Sequence, residues 1–278
     1  MSDEIPRSRQ ARLAAEQALV RVVHHYGGRP EFVVLGGLVP ELLCSSSAHQ
    51  HAGTTDIDVQ VNLEIECDAV NTARLERALR NAEFEPDSEQ VWRWRVVNDE
   101  VRVEVKFELL ADLDNEANEA TLHFDDCERL GAVNLRGTKY ATHDVESRTL
   151  TAKVYDDWRS VEISVTGVAG FLLAKGAAAY SRRKPKDWYD IAFVLLHNDL
   201  GGPVQAAKAV VDRLGKGALE ASGTALAELA ANFSDPQSQG PAAYADQFLV
   251  NHPDYDQSQA KADAVAAVAE FCDALAQA

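Results

Sequence analysis

The chain has 278 residues and a formal net charge of −17, from 27 basic and 44 acidic side chains, with 46% apolar and 26% charged residues. That balance excludes a disordered or fibrous chain and leaves room for one large core or two modest ones. So acidic a surface also excludes broad nonspecific binding to phosphate backbones.

No stretch approaches the roughly 20 continuous apolar residues of a membrane helix. The N-terminal segment has no apolar region of the secretory type. Cys44, Cys67, Cys127 and Cys272 form no CxxC pair, so reduced thiols in a cytoplasmic protein are expected. In chain order, residues 8–26 carry an amphipathic helical pattern through Leu13, Leu19, Val20 and Val23, stopped by Gly27-Gly28 in the manner of a helix C-cap. The apolar run 32–35 predicts a buried strand broken by Gly36-Gly37. Residues 38–44 predict a short helix with Pro40 in its first turn. The polar loop 45–55, with His49-Gln50-His51, reads as surface. It leads into Asp56-Ile57-Asp58-Val59-Gln60-Val61, whose alternation is that of a half-buried strand. A helix is predicted over 68–84, then strands over 91–97 and 101–110 joined by a turn at Asn98-Asp99-Glu100. Residues 111–160 read as irregular, with short β-like pieces and no strong period. After a strand at 161–165 the chain becomes Ala- and Leu-rich and helical, interrupted at Gly201-Gly202-Pro203 and over 234–241. The expected architecture is α+β: a mixed sheet with flanking helices over 1–166, then a mostly helical part over 167–278.

Asp56 and Asp58 lie two apart on a strand, so their carboxylates share a face while Ile57 turns inward. Mg²⁺ takes a few carboxylate oxygens and completes its shell with water and phosphate, so the pair is suited to holding one or two metals against a triphosphate. Asp-x-Asp also occurs at Asp112/Asp114 and Asp254/Asp256, but only Asp56/Asp58 sits in an alternating strand and follows a strand ending in Gly-Gly. Gly36 and Gly37 either bring backbone N–H groups to phosphate or serve a tight positive-φ turn. On the strand 101–110, Arg102, Glu104, Lys106 and Glu108 face away from Val101, Val103, Val105 and Phe107. Glu104 there is either a third metal ligand or one of a set of cross-strand charge pairs.

Lys175 and Arg182, seven residues apart, share a helix face. Lys175 follows the apolar run 168–174, where an unpaired charge is costly. Asp187 and Asp190 are its expected partners, in a structural salt-bridge network, in a network orienting a triphosphate-binding lysine, or in both. Trp92-Arg93-Trp94-Arg95 with Arg102 and Lys106, and the run 182–186, are where an anionic ligand is expected. No Walker A loop, Rossmann fingerprint or nucleophile elbow occurs.

Gly36-Gly37, a gap of under twenty residues and then Thr55-Asp56-Ile57-Asp58 resemble the first motif of the DNA polymerase β-type nucleotidyltransferase superfamily. Lys175-Gly176-Ala177-Ala178-Ala179-Tyr180-Ser181-Arg182 resembles the K-x-x-A-x-x-x-R motif of AbiEii/MenT-type nucleotidyltransferase toxins. Lys186-Asp187-Trp188-Tyr189-Asp190-Ile191 is similar to their (K/R)-D-x-x-D-(I/L) motif. The resemblance implies a nucleotidyltransferase fold with Mg²⁺ on Asp56 and Asp58, to which the strand pattern adds Glu104. It implies an NTP substrate held with the help of Lys175, with Asp187 and Asp190 supporting the site; Gly36, Gly37, Thr55 and Arg182 are the further candidates for nucleotide contact. A cognate antitoxin and, for some members, nucleotide addition to the tRNA 3′ end are also implied. Members often carry an arginine four residues before the first aspartate, where this chain has Ala52, beside His51. Two other readings stand alongside: nucleotidyl transfer to a small cationic acceptor of the aminoglycoside kind, and a degenerate module that binds nucleotide without turning it over.

Overall fold

The computed structural model describes residues 8–61, 71–98 and 102–277. Helix α1 (Arg9–Tyr26) starts where the Ser8 hydroxyl accepts from the Ala11 N–H and ends on left-handed Gly27, a cap at each end. Strand β1 (Phe32–Leu35) is buried throughout. A 3-10 turn at Gly36–Leu38 and the short helix α2 (Val39–Leu43) follow. Strand β2 (Asp56–Val61) buries Ile57, Val59 and Val61. Helix α3 (Thr72–Asn81) opens on Asn71, whose side chain accepts from the Arg74 N–H. The first residues of the helix expected over 68–84 lie outside the described residues, as do 99–101 at the expected turn.

Beyond α3 come β3 (Glu85–Pro86), β4 (Arg93–Asn98) and β5 (Val103–Ala111). The stretch read as irregular holds β6 (Thr121–His123), β7 (Gly131–Asn134), the short α4 (Tyr140–His143) and β8 (Val145–Val154). Strand β9 (Asp157–Thr166) runs on from it, so the strand expected at 161–165 is its inner half. β8 escaped the sequence reading because it buries only Leu150 and Val154 along ten residues, leaving no apolar face for a period-two pattern to mark. The rest is helical: α5 (Val168–Arg182), α6 (Pro185–His197), α7 (Pro203–Ala221), α8 (Gly223–Asn232), α9 (Gln239–Asn251) and α10 (Gln257–Ala276).

The nine described strands form one mixed sheet in the order β3-β4-β5-β2-β1-β9-β8, with β7 beside β5 and β6 beside β7. β1 runs antiparallel to β2 and parallel to β9, and β2 runs parallel to β5. Helix α1 packs on α3, β5 and β8, closing a core that includes Leu19, Val34, Ile57, Trp94 and Phe107.

By contacts the chain divides into two units, Met1–Leu38 with Gly53–Val165, and Val39–Ala52 with Thr166–Ala278. The second is built on buried Trp188, Phe233, Tyr244, Phe248 and Phe271. Residues 39–52, which the sequence groups with the sheet, belong with the helices for two reasons. α2 packs on α6, and the Asp199 carboxylate accepts from the backbone N–H and the hydroxyl of both Ser45 and Ser46. No helix among the described residues is long and apolar enough to cross a membrane.

Candidate functional site

In the sheet unit, the alternation of β2 turns Ile57 and Val59 fully into the core and leaves Asp56 and Asp58 half-buried on the opposite face. The turn after β1 is shaped around this pair. Leu35 is the register partner of Asp58, and Gly36 follows with φ +75°, in the left-handed region. A β-carbon on Gly36 would stand 1.9 Å from Asp58 Oδ2, and one on Gly37 would stand 2.8 Å from the Thr54 β-carbon. Both glycines are therefore required by close approach, and Gly36 by its backbone angle as well. The Thr54 hydroxyl accepts from the Asp56 N–H at 3.1 Å. Thr55, a candidate for nucleotide contact, uses its carbonyl in the sheet, accepting from the Lys106 N–H at 3.0 Å.

The parallel register sets Lys106 beside Asp56 and Glu108 beside Asp58, with Lys106 Nζ 3.9 Å from Asp56 Oδ1. On β4, Arg93 lies opposite Glu108 and Arg95 opposite Lys106, so the same face carries two of the expected arginines. Arg93 Nε donates to Glu108 at 2.7 Å, while Arg95 pairs with Asp87 and stands 3.9 Å from Glu104. Glu104 is thus the strand partner of neither aspartate. Among the described residues, no group of three or more His, Cys, Asp and Glu side chains is arranged to hold a metal ion, so Glu104 is not gathered with Asp56 and Asp58. The pair nonetheless offers donors of the kind Mg²⁺ takes, two neighbouring carboxylates that are partly exposed.

In the other two Asp-x-Asp triplets, Asp112, Asp114 and Asp256 serve the fold. Asp112 is buried and accepts the N–H groups of Gly137 and Lys139, and Asp114 pairs with Arg136 and Lys139. Asp256 caps α10 by accepting from the Gln259 N–H.

In the helical unit, the apolar run 168–174 buries one end of α5 and carries Lys175 in with it, 7% exposed. Arg183, left-handed at φ 48°, ends α5, and Pro185 starts α6. The chain reverses there because a residue before proline avoids the helical region, and Lys184 has ψ 134°. The reversal sets Asp187 and Asp190, three apart on α6, against α5. Lys175 Nζ lies 3.1 Å from Asp187 Oδ1 and 2.8 Å from Asp190 Oδ2, with both carboxylates fully buried. Arg182 grips Asp187 with two bonds, both 2.7 Å. Burial opposes the charge on Lys175, but Asp190 and Asp187 together carry its pKa above the ordinary lysine value. Burial likewise opposes ionisation of Asp187, but Lys175 and Arg182 hold it below the usual carboxylate range. Lys175, Arg182, Asp187 and Asp190 are the residues expected to meet, and they do. Of the remaining basic run, Arg183 is exposed and pairs with Glu228.

His51, read as part of a surface loop, is instead 2% exposed. Its Nε2 lies 2.9 Å from Asp190 Oδ1, and its ring stacks on Tyr189 at 4.9 Å. Next to it, the Ala52 N–H donates to the Tyr189 hydroxyl at 2.9 Å, and the Ala52 methyl is fully buried. His49 is also built in, against His197, Phe248 and His252. The sequence reading missed His51 and Thr54 because a polar loop composition carries no sign of which side chain a distant helix will bury. Compared with known proteins, the chain matches no described family and no curated protein.

Proposed function

We propose that this chain is a nucleotidyltransferase that moves an NMP from an NTP to an acceptor hydroxyl, with Mg²⁺ held by Asp56 and Asp58. The observation that carries the reading is the fit between Gly36 and Asp58: a left-handed glycine whose missing side chain makes space for a carboxylate. A glycine at such a turn also lets backbone N–H groups approach a phosphate beside the carboxylates. Bound Mg²⁺ would neutralise phosphate charge and orient the α-phosphorus. The acceptor oxygen forms a bond to that phosphorus, the bond to pyrophosphate breaks, and the hydroxyl proton passes to a carboxylate of the same strand face, on which Glu108 stands beside Asp58. Lys106, Arg93 and Arg95 place positive charge beside the aspartates. The resemblance of residues 36–191 to AbiEii/MenT-type toxins adds a tRNA 3′ end as acceptor, Lys175 as a phosphate contact and a cognate antitoxin as partner.

A second acceptor class is favoured by one feature. The strand face holds Asp56, Asp58, Glu104 and Glu108 against Lys106, Arg93 and Arg95, in a chain of net charge −17. That balance suits a small cationic acceptor. The test is transfer of α-³²P label from each NTP, with Mg²⁺, into total RNA and into an aminoglycoside, with Asp58→Ala as control. Loss of label on the order of 10³-fold in the variant is expected. No label from any NTP into either acceptor would remove the enzyme reading.

A further inference from the structure

We infer that His51 is a positioning residue for Lys175, acting through Asp190; its bearing on catalysis rests on the proposal that Lys175 contacts the nucleotide. Lys175 is held by two carboxylates, and each has a second brace. Arg182 takes Asp187, with 2.7 Å bonds to both oxygens. His51 takes Asp190, with Nε2 on Oδ1 at 2.9 Å, leaving Oδ2 for the lysine at 2.8 Å. The carboxylate accepts only, so the imidazole donates through Nε2–H. His51 and Asp190 side chains are both fully buried, so water is not at hand to replace the donor. Stacking on Tyr189 and an edge contact to Phe193 hold the ring in line, and Glu41 Oε2 accepts the His51 backbone N–H at 2.9 Å.

Two cations thus face two carboxylates, and His51 adds a directed donor to the group. Without that donor, Asp190 Oδ1 is buried with one bond fewer, and the carboxylate turns toward the Lys175 ammonium beside it. The ammonium then shifts with it. Groups that orient the ligands of a metal cost roughly 10–100-fold when removed, and an effect at the lower end of that range is expected for His51.

The experiment compares wild type, His51→Phe and His51→Gln. Phenylalanine keeps the stacking and lacks the donor; glutamine keeps an N–H at the reach of Nε2. Acylation of Lys175 by an activated ester, followed by peptide mass spectrometry, reads the ammonium's placement without assuming any activity. Its rate is expected to change roughly 10-fold in His51→Phe and to return to the wild-type value in His51→Gln. In the transfer assay, the NTP KM should rise roughly 10-fold in His51→Phe with a smaller change in kcat, again restored by glutamine. Equal Lys175 labelling in wild type and His51→Phe would overturn the inference, whatever the transfer assay gives. If His51→Phe does not fold, His51→Ala takes its place under the same criteria. Wild-type protein that transfers no label overturns the nucleotidyltransferase reading alone, since the labelling still decides the role of His51.

Discussion

Asp56 and Asp58 stand half-buried on a strand face, where the lysine beside them is 3.9 Å away. Asp187 and Asp190 lie fully buried on a helix, with Lys175, Arg182 and His51 on them at 2.7–3.1 Å. The aspartates are two apart on the strand and three apart on the helix, yet the strand leaves its two carboxylates partly exposed and the helix turns its two fully inward. The first pair keeps part of its surface exposed, with Lys106 near Asp56 and Glu108 beside Asp58. The second is compensated by its own neighbours, and removing one partner of such a group leaves the others buried and unbalanced.

The sharpest test of that difference is stability. Asp187→Ala should lower unfolding free energy by about 3–5 kcal/mol, because Lys175 and Arg182 lose the carboxylate they share. Denaturant midpoints at constant slope would show it. Asp58→Ala belongs at the other end of the scale, within about 0.5 kcal/mol of wild type while transfer is lost. Equal destabilisation by the two variants would erase the distinction between them.

Acid should act on the helical unit next most strongly. Burial, with His49 and His252 beside it, pushes His197 down to about 4 from the ordinary 6.5, and His49 is lowered as well, first by burial and then by His252. The unfolded chain therefore binds these protons more readily than the folded one. Stability is full above pH 6.5 and falls as pH drops from there toward 4, by on the order of 2–3 kcal/mol for His197. His197→Phe should flatten that part of the stability–pH curve. An unchanged curve would place the acid sensitivity elsewhere, beginning with Asp187, whose lowered pKa puts its own loss at more acid pH.

Gly36→Ala should give a smaller loss, about 1–2 kcal/mol for the left-handed backbone, but it should also displace Asp58 Oδ2. Transfer activity should accordingly fall much further in Gly36→Ala than stability does. A variant with normal activity would mean that the turn serves only the chain path.

Much of this was legible in the residues themselves. β1, β2, β5 and α1 follow from apolar runs, alternation and caps, because burial on one face imposes a period on the sequence. The strand face of Asp56 and Asp58 follows from the same period. The meeting of Lys175 with Asp187 and Asp190 follows from helix spacing and from the cost of an unpaired charge after the run 168–174. Local pattern stops where partners are far apart in the chain. The register that sets Lys106 and Glu108 beside the aspartates, the assignment of residues 39–52 to the helices and the burial of His51 on Asp190, 139 residues away, were decided only by tertiary packing. These depend on which surfaces close over one another, and a polar residue carries no periodic mark of the partner that will bury it.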